Sequence, residues 1–222
     1  MIEVEGLKKS FDSLKVLDGI SFKVKSGELV TVLGPSGCGK TTLIRILAGL
    51  LPFDDGNIFV NGEIGVMFQE PRLLPWRTVE KNISLGLELQ DKPINSSKID
   101  EMLKFLDLYD FKNFYPSELS AGMKQRVALA RTLIIEPTVL LMDEPLSALD
   151  PVTRRKLQDK ILEIHKEKKL TILFVTHSVE EAIYLGNRII IFSQKPTKIK
   201  AIIKNHGKSV RKKIESIMKL QL

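Results

Sequence analysis

Cysteine is all but missing from this chain of 222 residues: Cys38 stands alone, so no internal disulfide can form and a reducing compartment suits the protein. Long apolar runs are missing too. Strings such as Val139-Leu140-Leu141-Met142 and Ile189-Ile190-Ile191-Phe192 fall far short of the ~20 residues that span a bilayer, and they read as buried strands. The N-terminus carries Glu3 and Glu5 where a basic-then-apolar leader would stand, so no export signal is expected. Repeats, low-complexity linkers and a second large domain are equally lacking. What is present is 43% hydrophobic, enough for a substantial core, and the expectation is one soluble, cytosolic domain.

The net charge is +7, and its distribution decides what it means. From Lys195 to Lys219 nine basic residues face Glu215 alone, so the excess lies in that segment and not in the rest of the chain. A nucleic-acid binder would interleave such cations with aromatics, and no aromatic follows Phe192. Residues 196–222 therefore read as a solvated basic tail near anionic headgroups or a partner, with no nucleic acid expected.

Alternation over Ile2–Leu7 and Ile20–Val24, with turn-like Ser26-Gly27 after them, predicts antiparallel β structure at the start. The short runs Leu29–Leu33, Val139–Met142 and Leu170–Val175 are continuously apolar and end in polar residues. Such strands belong to a parallel sheet covered on both faces, with chemistry at their carboxyl ends. Between Lys81 and Arg131 the period becomes helical: Ile99, Met102, Leu103 and Leu106 share a face, and Pro93 and Pro116 punctuate the stretch. Asp150-Pro151 predicts a helix start, Ser178 with Glu181 a capping box, and Lys208–Leu220 a final helix capped by Ser209.

Gly34, Pro35, Ser36, Gly37, Cys38, Gly39, Lys40 and Thr41 fit G-x-x-x-x-G-K-[ST], between the strand Leu29–Leu33 and the helical run Leu43–Ala48. Glycines let the backbone wrap phosphate, and the helix start adds positive potential. Lys40 should reach the β- and γ-phosphates and Thr41 should ligate Mg²⁺, with Thr42 beside it. Asp143, at the end of a buried strand, is placed to hold Mg²⁺, and Glu144 to act as general base toward water. No Asn-Lys-x-Asp guanine motif is present, which favours ATP over GTP. The fold class expected is α/β, a P-loop NTPase core with a mixed, mainly parallel sheet. To it are added an N-terminal antiparallel β subdomain and an inserted helical subdomain. The core occupies residues 1–80 and 132–195, and the helical insert 81–131.

Leu119-Ser120-Ala121-Gly122-Met123-Lys124-Gln125-Arg126 resembles the signature of ABC ATPases, and the order of motifs from Val4 to Phe192 is similar to that family's. The resemblance implies a role for each matching position. Phe11 would stack on adenine, or else be plain core. Gln69 would join Mg²⁺ and the attacking water to the helical subdomain. Ser120, Ala121, Gly122 and Met123 would meet the opposite subunit's ATP, and Ser147-Ala148-Leu149-Asp150 would cross to the partner. His177 would contact γ-phosphate. A second head is thereby implied, as a homodimer or a pair of heads that ATP glues together. Ala121 departs from the usual paired glycines: a penalty if the position needs φ > 0, neutral if it is helical.

Met67–Thr78 closely resembles the glutamine loop of ATPase subunits in nitrate, sulfonate and taurine uptake systems. That likeness implies an importer at the cytoplasmic face of the membrane, held there by permease subunits and working with an extracytoplasmic solute-binding protein. The cargo would be a small solute of that kind or a pyrimidine precursor. Leu73, Leu74 and Trp76 are then candidates for the permease groove, although the leucines read equally well as internal packing. The rival reading is a soluble ABC ATPase acting on nucleic acid or the ribosome.

Overall fold

The chain opens with two long strands, β1 (Ile2–Phe11) and β2 (Leu14–Val24), paired antiparallel through a turn in which Asp12 takes φ 50. The computed structural model describes residues 1–219 apart from the Lys208 side chain. Both strands run further than the alternation predicts. The extra residues of β1 are mainly polar, and their lysines find carboxylates: Lys8 pairs with Asp55 at 2.7 Å and Lys9 with Asp54 at 3.1 Å, while in β2 the added Val16 and Leu17 are buried. There follow β3 (Leu29–Leu33), α1 (Lys40–Leu47), β4 (Asp55–Val60) and β5 (Ile64–Met67). The strand β4 pairs with β1, closing a three-stranded sheet in the order β2-β1-β4.

Next come three helices, α2 (Val79–Glu88), α3 (Ser96–Phe105) and α4 (Ala121–Leu133), the first two capped by Thr78 and Asn95. The chain then returns through β6 (Val139–Asp143), α5 (Pro151–Lys168), β7 (Thr171–Thr176), α6 (Val179–Leu185) and β8 (Arg188–Phe192). It finishes with β9 (Ile199–Lys204) and α7 (Arg211–Lys219). The second sheet has the order β5-β6-β7-β3-β8-β9, parallel from β5 to β8 and antiparallel at β9.

Every residue of β3, β6 and β7 is buried, as a sheet covered on both faces requires. One face, with Val30, Val32, Leu141 and Val175, packs on α1 and on Val4 and Leu7 of the antiparallel sheet. The other, with Leu140, Met142, Ile172 and Phe174, packs on Ile83, Val127 and Ile161 of three helices. The carboxyl ends of β3, β6 and β7 are thus fixed side by side, and the polar motifs project from them.

Three expectations need correction. Residues 196–219 are not a free basic tail: β9 extends the sheet, and Ile203, Val210 and Ile214 are buried against Leu33, Ile189 and Ile191. The final helix starts at Arg211, after a 3₁₀ turn over Gly207–Val210 that includes Ser209, whose hydroxyl donates to the His206 carbonyl. The expected end of that helix, Leu220, lies outside the described residues. Only half of the capping box at α6 forms. Ser178 accepts from the Glu181 amide, but the Glu181 carboxylate accepts at 2.6 Å from the Thr176 hydroxyl instead.

Candidate nucleotide site

The loop from Gly34 to Gly39 joins β3 to α1. Gly39 takes φ 113, and a Cβ there would stand 2.8 Å from Val16 Cγ1, so both backbone and space demand glycine. Lys40 is only 3% exposed. Its Nζ donates to the Gly34 and Pro35 carbonyls at 2.9 Å each and stands 3.1 Å from Glu144 Oε1. The Thr41 hydroxyl donates to Asp143 Oδ1 at 3.1 Å. Strand order produces these contacts, because α1 begins where β3 ends and β6 ends nearby.

Burial pushes the Asp143 carboxyl above its ordinary pKa, despite the Thr41 hydrogen bond and the Lys40 charge. For Glu144 burial pulls the same way, but the hydrogen bond from His177 and the Lys40 charge outweigh it and hold the pKa below the ordinary value. Glu144 is therefore ionised at neutral pH. His177 Nδ1 stands 2.6 Å from Glu144 Oε2, and the imidazole N–H donates to the carboxylate. Glu144 also sits at φ 44, an unusual conformation for a side chain of its size, fixed by its amide on the Val175 carbonyl at 3.0 Å.

Beside this cluster lies a cavity of about 290 Å³, walled by Phe11, Leu14 and Val16 on one part and by Gly37, Gly39, Lys40, Thr41, Thr42 and Glu144 on another. Phe11 is 43% exposed, which removes the plain-core alternative. Lys195 also lines the cavity, a residue that sequence reasoning assigned to the basic segment. Its turn is buttoned to the phosphate loop: the buried Thr197 hydroxyl donates to the Cys38 carbonyl, and the Thr197 amide to the Val16 carbonyl at 2.9 Å. Only a pairing across the fold reveals this. Cys38 itself is buried, and that burial raises its thiol pKa, so the thiol is protonated and unreactive.

The remaining motifs stand apart from that cavity. Ser120 caps α4 by accepting from the Met123 amide at 3.2 Å, and Ala121 is the first residue of the helix. Ala121 is therefore helical, with none of the positive φ that would demand glycine. At Gly122 a Cβ would meet Thr153 Cγ2 at 2.5 Å, so that position holds α4 close to α5. Asp150 caps α5 on the Val152 and Thr153 amides, and the Ser147 hydroxyl donates to the Glu144 carbonyl at 3.0 Å. The Leu149 carbonyl accepts from Arg154, which pairs with the buried Glu181 at 3.7 Å. Ala148 lies in the turn between them.

Gln69 is exposed, and among the described residues its side chain is not joined to Thr41 or Asp143; its main-chain carbonyl accepts from Gln125. Leu73 is half-buried, packed in part against the helical core. Leu74 is half-buried, its backbone held at both ends by Asn82, and Trp76 is 71% exposed. Among the described residues no helix is long and apolar enough to cross a membrane, and no cluster of three His, Cys, Asp or Glu could hold a metal.

A phosphate loop between β3 and α1, an Asp-Glu pair at the end of β6 and a histidine just after β7, the strand between β6 and β3, together define a P-loop nucleotide hydrolase. The chain belongs to the ABC transporter family, whose model matches residues 17–147. It is an ATP-binding, ATP-hydrolysing subunit of that family. It is 46% identical over 217 residues to an aliphatic sulfonates import ATP-binding protein of Bacillus cereus, covering 92% of this chain and 86% of the relative. It is likewise 46% identical over 197 residues to a taurine import ATP-binding protein of a Jannaschia species, covering 84% and 74%. Among solved structures it resembles a dimeric ATP-binding cassette in a post-hydrolysis state bound to ADP and Pi. The TM-score there is 0.84 at 29% identity, over 93% of this chain and 100% of that one.

Proposed function

We propose that this chain is the ATP-binding subunit of an importer for a small sulfonate such as an aliphatic sulfonate or taurine, working at the cytoplasmic face of the membrane. The observation that carries the proposal is the 46% identity to the sulfonate import subunit over 92% of the chain. Residues 1–80 and 132–195 serve as the nucleotide-binding core, and 81–131 as the helical subdomain that carries Ser120. The partners are a second head, permease subunits and, outside the cell, a solute-binding protein.

Asp143 and Thr41 fit a divalent cation. They bring one buried carboxylate and one hydroxyl into contact at the end of β6, and burial holds the acid's pKa up in spite of the Lys40 charge. Bound there, Mg²⁺ would neutralise charge on the β- and γ-phosphates. Gln69 is the further ligand in this reading.

Each residue then has a task of its own. Phe11 offers a face to adenine, and the backbone amides of the loop from Gly34 to Gly39 surround the phosphates. Lys40 exchanges its contact with Glu144 for phosphate oxygens as the triphosphate enters. Glu144 accepts the proton of the attacking water, whose oxygen bonds to the γ-phosphorus as the bond to the bridging oxygen breaks. His177 orients the carboxylate through its Nδ1–H, and its Nε2 would donate to the γ-phosphate in the doubly protonated ring. Ser120, Ala121, Gly122 and Met123 lie outside the lining of this cavity, and the resemblance of their segment to the ABC signature implies that the capped start of α4 would meet the ATP of the partner subunit.

Two variants probe this assignment. Ala121→Gly should leave turnover within about twofold, since the position is already helical and glycine there costs at most ~1 kcal/mol in helix propensity; a large gain measured by phosphate release would show that the position needs a freer backbone. Trp76→Asp should abolish stimulation of ATPase by the permease and leave the basal rate of the isolated chain unchanged, because an exposed tryptophan is suited to anchor a partner. Equal stimulation of variant and unsubstituted complexes in proteoliposomes would remove Trp76 from that interface. The decisive experiment is purification from native membranes in mild detergent, followed by vesicle uptake of labelled taurine and alkanesulfonates. A permease should accompany the chain and uptake should need ATP. Recovery only in the soluble fraction with nucleic acid or ribosomes would overturn the transport reading.

A further inference from the structure

One buried carboxamide has no part in the mechanism above. Gln125, in the first half of α4, is 2% exposed. Its Nε2 donates to two main-chain carbonyls from other parts of the fold: that of Gln69 at 3.3 Å, and that of Pro145 in a shorter contact. These carbonyls adjoin the site. Gln69 follows β5, and Pro145 directly follows Glu144.

Lys40 and His177 hold the Glu144 carboxylate, but among the described residues the main chain of the Glu144–Pro145 turn has few other ties. Glu144 is held at φ 44 by its amide on Val175 and by its carbonyl, which accepts from both the hydroxyl and the amide of Ser147. Pro145 has no N–H to donate, so its carbonyl is its one main-chain anchor, and Gln125 occupies it. A primary amide carries two donor hydrogens on one nitrogen, which lets a single side chain hold both segments at once. Ser120 caps the same helix.

We propose that Gln125 is a positioning residue for hydrolysis: it ties the helix that carries Ser120 to the Glu144–Pro145 turn and to the Gln69 segment, so that the seating of α4 sets where the Glu144 carboxylate stands. This rests on the reading of Glu144 as the base and of Ser120 as the group that meets the partner's nucleotide. A partner's ATP that pulls on the start of α4 then shifts the base in the same chain's site, and α4 transmits the shift as a rigid rod.

The test is Gln125→Met, which keeps length and burial and removes both donors. ATPase kcat and KM are measured on the full chain, together with equilibrium binding of ATP without magnesium. Since a misplacement of about 1 Å can cost on the order of 10² in rate, kcat should fall about tenfold or more while the Kd for ATP stays within about twofold. Amide exchange at Leu146 and Ser147 should quicken. A kcat within about twofold of the unsubstituted chain would overturn the proposal. So would a fall in kcat matched by an equal weakening of ATP binding, which would mark a general loosening. If Gln125→Met does not fold, Gln125→Asn, whose amide is too short to reach both carbonyls, is held to the same two criteria. Absence of turnover in the unsubstituted chain would instead overturn the reading of the site itself, so the two failures are distinguishable.

Discussion

Glu144→Gln should lower ATP turnover by about 10²–10⁴-fold, the range associated with loss of a positioned general base, and should at the same time trap an ATP-bound dimer. Both halves of that result come from local geometry. Glutamine has the shape of glutamate, so it fits the same backbone at φ 44 and still offers an oxygen to His177. What it loses is the negative charge that takes a proton from water. It also loses attraction for Lys40, whose ammonium stands 3.1 Å away. Lys40 is then left without a competing anion and binds incoming phosphate more readily, so ATP affinity rises as hydrolysis stops. Light scattering at saturating ATP and Mg²⁺ should show the dimer persisting in the variant and decaying in the unsubstituted chain. A persistent monomer, or a rate within tenfold of the original, would remove Glu144 from the role of base.

The same geometry shows which features a sequence can disclose. Leu29–Leu33, Val139–Met142 and Leu170–Val175 announce buried parallel strands because both their faces are covered, and the structure places them side by side at the centre of the sheet. The phosphate loop and Asp143 are equally legible, since each depends on residues contiguous in the chain. A count of charge misleads over the segment from Lys195 because it ignores the period of two. In β9, Ile199, Ala201 and Ile203 turn inward while Lys200 and Lys204 turn outward, as suits the edge of a sheet. Lys195 at the cavity and Gln125 under Pro145 were hidden for another reason: each acts across a long stretch of chain, through a turn or a helix whose partner no local pattern names. The positive φ of Glu144 likewise leaves no trace in composition. It follows from the sharp exit of the chain at the end of β6, where the amide must turn back to Val175.

Lys40→Met should produce the complementary defect, a fall in ATP affinity on the order of a hundredfold or more, since charged hydrogen bonds contribute about 1.5–3 kcal/mol each and 1.4 kcal/mol is tenfold in affinity. Methionine keeps most of the buried stem, so packing changes little, and the Gly34 and Pro35 carbonyls turn to water. The larger consequence falls on Glu144. Lys40 is one of the groups that hold its pKa down; without that ammonium the carboxyl pKa rises, and its remaining charge faces the incoming phosphates with no cation between. Removing that charge as well should then help: Lys40→Met combined with Glu144→Gln should bind ATP more tightly than Lys40→Met alone. Two side chains in direct contact are expected to be non-additive in this way. Titration calorimetry on the four proteins would decide it. If the double variant bound no more tightly than Lys40→Met, Glu144 would not face the γ-phosphate, and the exchange of partners at Lys40 would not be how the triphosphate enters the site.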